Sequence, residues 1–124
     1  MALREEVRQT AERRAPIFFA GCISGVEGYT ESAATGILAG MNAARAARGE
    51  APLELPGETM MGALTEYIAH GPAENFQPMN ANLGLLPPPE PYIKNKQQRH
   101  QALIARGVDS MQRFVAALPA GASA

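Results

Sequence analysis

Residues 18–34 read Phe-Phe-Ala-Gly-Cys-Ile-Ser-Gly-Val-Glu-Gly-Tyr-Thr-Glu-Ser-Ala-Ala, and their types suit holding a flat ligand better than breaking a bond. A short apolar run ends at Gly21, a loop carries Gly25 and Gly28, and a helical pattern begins beside Thr30. Backbone N–H groups at a helix start lack intrahelical partners and carry partial positive charge, so they suit an anion or a polarised carbonyl. Gly25 and Gly28 have no side chain to keep a planar ring off the backbone, and Tyr29 could stack on that ring. The same residues would equally make a tight turn between strand and helix, with Tyr29 as a surface anchor. On the residues alone the two readings are evenly matched.

Nothing in the chain pairs a nucleophile with a base at motif spacing, so no catalytic residue is assigned. Cys22 is the only cysteine, which excludes an intramolecular disulfide and a cysteine zinc cluster, and it reads as a small half-buried residue after a strand. His100 falls on the inner stripe of a helix, and His70 ends a helix, where a cation is favourable. Two histidines without cysteine partners make no metal site. With a formal net charge of -1, the chain lacks the dense positive field of a freestanding nucleic-acid binder, and no nucleic-acid partner is expected. No apolar run reaches the roughly 20 residues that span a bilayer, and the first residues lack a signal-peptide core, so a cytoplasmic protein without a membrane partner is expected.

The elements that must position the glycine loop follow from pattern. At 124 residues the chain suits one domain spanning 1–124. Residues 3–13 are mixed-charge helix formers with a thin stripe of Leu3, Val7 and Ala11, giving an N-terminal helix within 1–15 that Pro16 stops. Residues 17–21 form an apolar run suited to a buried strand, which must pair with a second strand or with another copy of the chain. From Glu31 to Arg48 the period is helical, with Thr30 as cap, Gly49 as stop, and Ala34, Ile37, Leu38, Met41 and Ala44 or Arg45 on one face. Gly36 and Gly40, one turn apart, invite close approach of another backbone. After a turn-rich linker over 50–58, Thr59 caps a helix to His70 with Met60, Leu64, Tyr67 and Ile68 inward. Residues 73–91 are irregular and end in a proline run that reads as a stiff connector. A last helix covers 92–118 with Ile93, Gln97, His100, Ile104, Val108, Met111, Val115 and Leu118 on one stripe, leaving a flexible tail over 119–124. The expected fold is mainly α with one or two short β-strands, a strand–glycine loop–helix unit followed by helices, completed by dimerisation.

The run from Gly25 to Ala34, then Gly36 and 39–45 (Ala-Gly-Met-Asn-Ala-Ala-Arg), resembles the C-terminal part of the folate- and FAD-dependent tRNA (uracil-5-)-methyltransferases, TrmFO. The likeness continues through Gly62-Ala63-Leu64, Tyr67-Ile68 and 75–85 (Asn-Phe-Gln-Pro-Met-Asn-Ala-Asn-Leu-Gly-Leu), covering roughly residues 15–110 in order. The resemblance implies a family in which methylenetetrahydrofolate supplies a carbon and reduced flavin a hydride. It places the loop at 17–30 where a flavin and a stacked pteridine meet, matches Tyr29 to a tyrosine beside those rings, and sets Met79, Asn80 and Asn82 beside the site. Cys22 stands where the family usually carries glutamine, and the family's catalytic cysteines have no counterpart here.

Only 16 residues precede Ile17, and no Gly-x-Gly-x-x-Gly opens a strand–helix unit, so little FAD affinity is expected. The resulting expectation is a noncatalytic, homodimeric binding protein for a small ligand, a tetrahydrofolate derivative. Its site comprises Ser24, Gly25, Val26, Glu27, Gly28, Tyr29, Thr30, Met79, Asn80 and Asn82. Glu27 or Glu31 would accept from pterin N–H groups, and Arg45, Lys94, Lys96 or Arg99 could meet the tail carboxylates. The alternative is a methyltransferase component that needs FAD or a partner subunit.

Overall fold

The computed structural model describes residues 16–119, so the expected helix within 1–15 and most of the expected tail lie outside the described residues. The chain is a small, mainly α domain: α1 spans Tyr29–Ala47, α2 Met60–His70 and α3 Lys96–Ala117, with short 3-10 turns at Gly21–Ser24 and Leu83–Leu85.

Each helix starts and stops on local chemistry. The hydroxyl of Thr59 accepts the Gly62 amide at 3.0 Å and fixes the first turn of α2 as expected. Asn95 does the same for α3, accepting from Gln98 N at 3.0 Å, so this helix begins at Lys96 and not at Tyr92. α1 begins earlier than expected: its N-cap is Gly28, not Thr30, and no side chain caps it. Gly49 stops α1 as anticipated, in the left-handed region at φ 74, with its amide bonded to Ala46 O.

α1 packs against the first 3-10 turn and against α2, and α2 packs against the second turn. The face α1 buries holds Thr35, Leu38, Ala39 and Asn42, shifted from the expected one, and Ile37 is 66% exposed. The shift has a polar cause. Thr35 and Asn42 both have partners that need them inside: Asn42 bridges both backbone groups of Leu53, donating to its oxygen at 3.2 Å and accepting from its amide at 2.6 Å. Leu64 is fully buried at the centre, worth about 1.5–3 kcal/mol of burial. A second cluster joins Ala63, Leu86 and Leu103, with Met60, Leu83 and Leu85 against it.

Three expectations fail here. Residues 17–20 do not form a strand element; only Phe18 holds a bridge position, and the other pairing is an isolated parallel bridge between Val26 and Met79. Extended backbone needs a neighbour along its length, and among the described residues none runs beside this segment for more than one residue. Gly36 and Gly40 have nothing among the described residues within 4 Å of where a side chain would begin, so no described backbone packs closely there. On α3, Ile104, Val108 and Val115 are each more than half exposed, while Leu103 and Ser110 face inward. α3 meets the body along one narrow line, where the bare Cα of Gly107 lies against the Glu58 carbonyl.

The proline run is held down rather than loose. Arg106 donates to the carbonyls of Pro87 and Pro88, and its Nε lies 4.0 Å from Glu58.

Candidate functional site

The stretch singled out by residue type, 24–30, and the one that the resemblance sets beside it, 79–82, lie fifty residues apart in sequence and meet in space. Glu27 donates its amide to the Met79 oxygen at 2.9 Å, and Met79 donates back to the Gly25 oxygen at 2.9 Å. Two residues on, Glu31 Oε1 accepts the Ala81 amide at 3.2 Å. Val26, between these ties, is 1% exposed and forms the floor of the corner.

The loop is shaped by its own hydrogen bonds. Ser24 Oγ donates to the Gly21 oxygen at 2.7 Å, and the Gly25 amide donates to Cys22 at 3.1 Å. Gly21, Gly25 and Gly28 all adopt positive φ (73, 95 and 99), which explains glycine at each position. Thr35, 2% exposed, accepts the Gly21 amide at 3.1 Å and returns its own proton to the first turn of α1. This tie between turn and helix is not visible in the loop motif. Its only trace in the sequence is a polar β-branched residue one helical turn after Glu31.

The glycines do not present bare faces. The side-chain position of Gly25 is filled by the ring of Phe76, which would lie 2.5 Å from a Cβ there. Phe76 in turn stacks on Tyr67 at 5.6 Å between centroids, and the Tyr67 hydroxyl donates to Gln77 O at 2.9 Å. At Gly28 the same position is occupied by the Glu31 carboxylate. On that side of both glycines the chain's own aromatic and carboxylate sit, so a ligand ring would have to meet the corner from elsewhere. Phe76 escaped the residue-type reading because a single aromatic in a Pro- and Asn-rich stretch carries no periodic signal.

The open part of the corner is its rim. Tyr29 is 98% exposed, and Glu27, Gly28, Thr30 and Asn80 are also exposed. The first amides of α1 have no side-chain cap, and the partial positive end of a 19-residue helix lies beside them. Asn82 is exposed, yet its side chain is engaged: its Oδ1 accepts Gly84 N at 2.9 Å, and its Nδ2 reaches the Asn80 oxygen at 3.1 Å and Met79 Sδ at 3.4 Å. It shapes the turn and keeps few atoms for a ligand.

The proposed basic rim divides. Arg45 pairs with Glu50 at 3.2 Å and donates to the Ala51 oxygen at 2.7 Å, at the far end of α1, about 24 Å along the helix from Tyr29. Arg99 donates to Tyr92, Ile93 and Lys94. Lys94 and Lys96 are exposed, and no hydrogen bond or ion pair ties either to the glycine loop. Among the described residues no group of three His, Cys, Asp or Glu could hold a metal, and no helix is long and apolar enough to cross a membrane.

A family model described as glucose inhibited division protein A matches residues 5–51. The methylenetetrahydrofolate–tRNA-(uracil-5-)-methyltransferase TrmFO of Bacillus cytotoxicus is 53% identical over 104 residues, 84% of this chain and 24% of that protein. The protein of the same name from Ligilactobacillus salivarius is 50% identical over 103 residues, covering 83% of this chain and 24% of its own length. That of Enterococcus faecalis is 47% identical over 108 residues, 87% of this chain and 25% of that protein. The chain thus spans about a quarter of the length of the relatives it matches.

Proposed function

Starting from a chain that is homologous to the TrmFO proteins over about a quarter of their length, we propose that the corner of Tyr29, Glu27, Glu31 and Asn80 binds the ring system of a reduced folate. The chain would act as the folate side of tRNA uracil methylation and not as a complete catalyst. The observation that carries this reading is the tie between 24–30 and 79–82, which sets an exposed tyrosine, an uncapped helix start and a carboxylate on one rim. Pterin rings offer adjacent N–H donors on one edge, and a carboxylate with a free lone pair can take them. Glu31, already fixed by Ala81, is the better placed acceptor; Glu27 is exposed and unconstrained. Tyr29 supplies the stacking face and Asn80 a free side-chain amide. When bound, methylenetetrahydrofolate would supply the transferred carbon.

Isothermal titration with tetrahydrofolate tests the reading. We expect measurable binding that Tyr29→Ala weakens about tenfold, the scale of one lost aromatic stack. Glu31→Gln should lower affinity as well. An absence of both heat and thermal shift in the unaltered chain would end the proposal.

A second reading, a methyltransferase component that also holds FAD or pairs with a partner subunit, is favoured by the ridge of Gly36 and Gly40, which no described residue meets. Purified protein with a flavin absorption band, or one that acquires it on adding FAD, would select this reading over the first.

A further inference from the structure

We propose that the cleft between α1, α2 and the linker that joins them is a binding site for a small organic cation, an amidinium or guanidinium carried on an apolar stem. The cleft has a volume of about 340 Å³, within the roughly 300–1,000 Å³ of small-molecule sites. That space accommodates one ring and one charged head, and not a run of side chains. Its floor is apolar: Leu38 of α1 and Leu53 of the linker are buried there, and Phe18, Leu55 and Ala69 complete it. Its walls are preformed. Asn42 holds both backbone groups of Leu53, and the bare Cα of Gly62 in α2 lies against the Pro56 carbonyl. A pocket shaped before its ligand arrives loses little binding energy to ordering. The α1 residues of the cleft lie about 13–20 Å along the helix from Tyr29, which separates it from the glycine loop.

The polar groups at the mouth select the chemistry of the occupant. Glu54 and Glu66 line the cleft and are exposed, and no Lys or Arg stands among the described residues that line it. The nearest arginines along the chain, Arg45 and Arg48, are both engaged by Glu50. None of the ion pairs among the described residues includes Glu54. Glu66 meets His70 Nδ1 through Oε1 at 3.1 Å and keeps its second oxygen, while the neutral imidazole presents Nε2 as an acceptor. Thr65 gives its proton to the carbonyls of Met61 and Gly62, at 2.9 and 3.0 Å, so its Oγ can only accept. The side-chain amide of Asn42 is buried and bound to Leu53 at both ends. The free side-chain valences are therefore acceptors, and two of the groups that carry them are carboxylates. An anion would find no partner at such a rim. An amidinium or guanidinium brings several N–H donors in one plane together with a positive charge, and its apolar stem covers the leucines below. A metal ion does not fit the same arrangement, since no group of three His, Cys, Asp or Glu among the described residues could hold one.

Benzamidine and its neutral isostere benzamide, titrated into the whole chain and read by NMR at the Leu38 and Leu53 methyl groups, test the assignment. Benzamidine should shift both residues and bind about tenfold more tightly than benzamide. Glu54→Gln with Glu66→Gln should weaken benzamidine about tenfold and leave benzamide unchanged, two exposed charge pairs together being of that scale. Both glutamates are exposed, so this variant reports on the site without disturbing the core. Ala69→Leu, also at an exposed position, should fill the cleft and remove binding of both probes. Agmatine, a guanidinium on a free alkyl stem, should displace benzamidine. No methyl shift at millimolar benzamidine, equal affinity for benzamide, or full benzamidine affinity in the glutamate variant would overturn the proposal. A capped Gly-Arg-Gly peptide that binds more tightly than agmatine would give the cleft to a protein segment and equally overturn it. Tetrahydrofolate should neither displace benzamidine nor lose affinity in the glutamate variant; displacement would make the cleft part of the folate site and also sink the assignment.

Discussion

Glycine carries different meanings at different positions in this chain. Gly25 combines a φ of 95 with a Phe76 ring already in its side-chain position. Gly25→Ala therefore meets both backbone strain and a clash, and should lower stability by about 1–3 kcal/mol in urea unfolding. Gly36 is helical with open space around it, and Gly36→Ala should raise the stability of this chain by about 0.5–1 kcal/mol through helix propensity. Equal effects at the two sites would contradict the geometry described above. Thr35 and Asn42 show the complementary case, polar residues that are inside because their partners are backbone groups with no other source of hydrogen bonds.

At the scale of elements, the sequence was most legible where a side chain caps its own helix and least where burial is decided by a distant partner. Thr59 could be read as a cap because the bond it makes is three residues away. The buried face of α1 could not, because Asn42 is drawn inward by Leu53, eleven residues on, and Thr35 by Gly21, fourteen residues back. The apolar stripe of α3 is real as a pattern, yet half of its positions face solvent, since periodicity shows that a face is apolar and not what covers it. For the candidate site, residue types pointed to the glycine loop and the resemblance to 79–82, but neither singled out Phe76 or Thr35, which shape the corner from beneath. At the end of α1, Arg48 and Arg45 gather on Glu50. The Arg48 hydrogen bond, first of all, holds the Glu50 carboxyl below the usual carboxylate range. A depressed carboxylate stabilises the fold above its ordinary range and loses that contribution as pH falls through its folded value. Glu50 is exposed, so the effect is small and salt-sensitive. A pH series of thermal melts should be slightly flatter in acid for Glu50→Gln than for the unaltered chain, and an identical acid limb would remove the pair from any role in stability.

For the molecule as a whole, apolar side chains remain uncovered at Ile17, Ile37, Ile104, Val108 and Val115. Isolated exposed residues are ordinary, but Ile17 sits on an extended segment that can pair with a copy of itself across a two-fold axis. The homodimer expected from the sequence is retained as a proposal on that ground. Sedimentation should show a dimer that Ile17→Lys converts to monomer; a monomer at every concentration would dismiss it.

The link between Val26 and Met79 joins segments that no helix spans, through two backbone hydrogen bonds and one carboxylate. We expect such a closure of a fifty-residue interval to form after α1 and α2 have docked and to open before the helices do. Deuterium should enter the amides of Glu27 and Met79 together and well before that of Leu64, and a ligand seated on the rim should slow both in step. The corner would then behave as a clasp whose opening rate governs how quickly its occupant comes and goes.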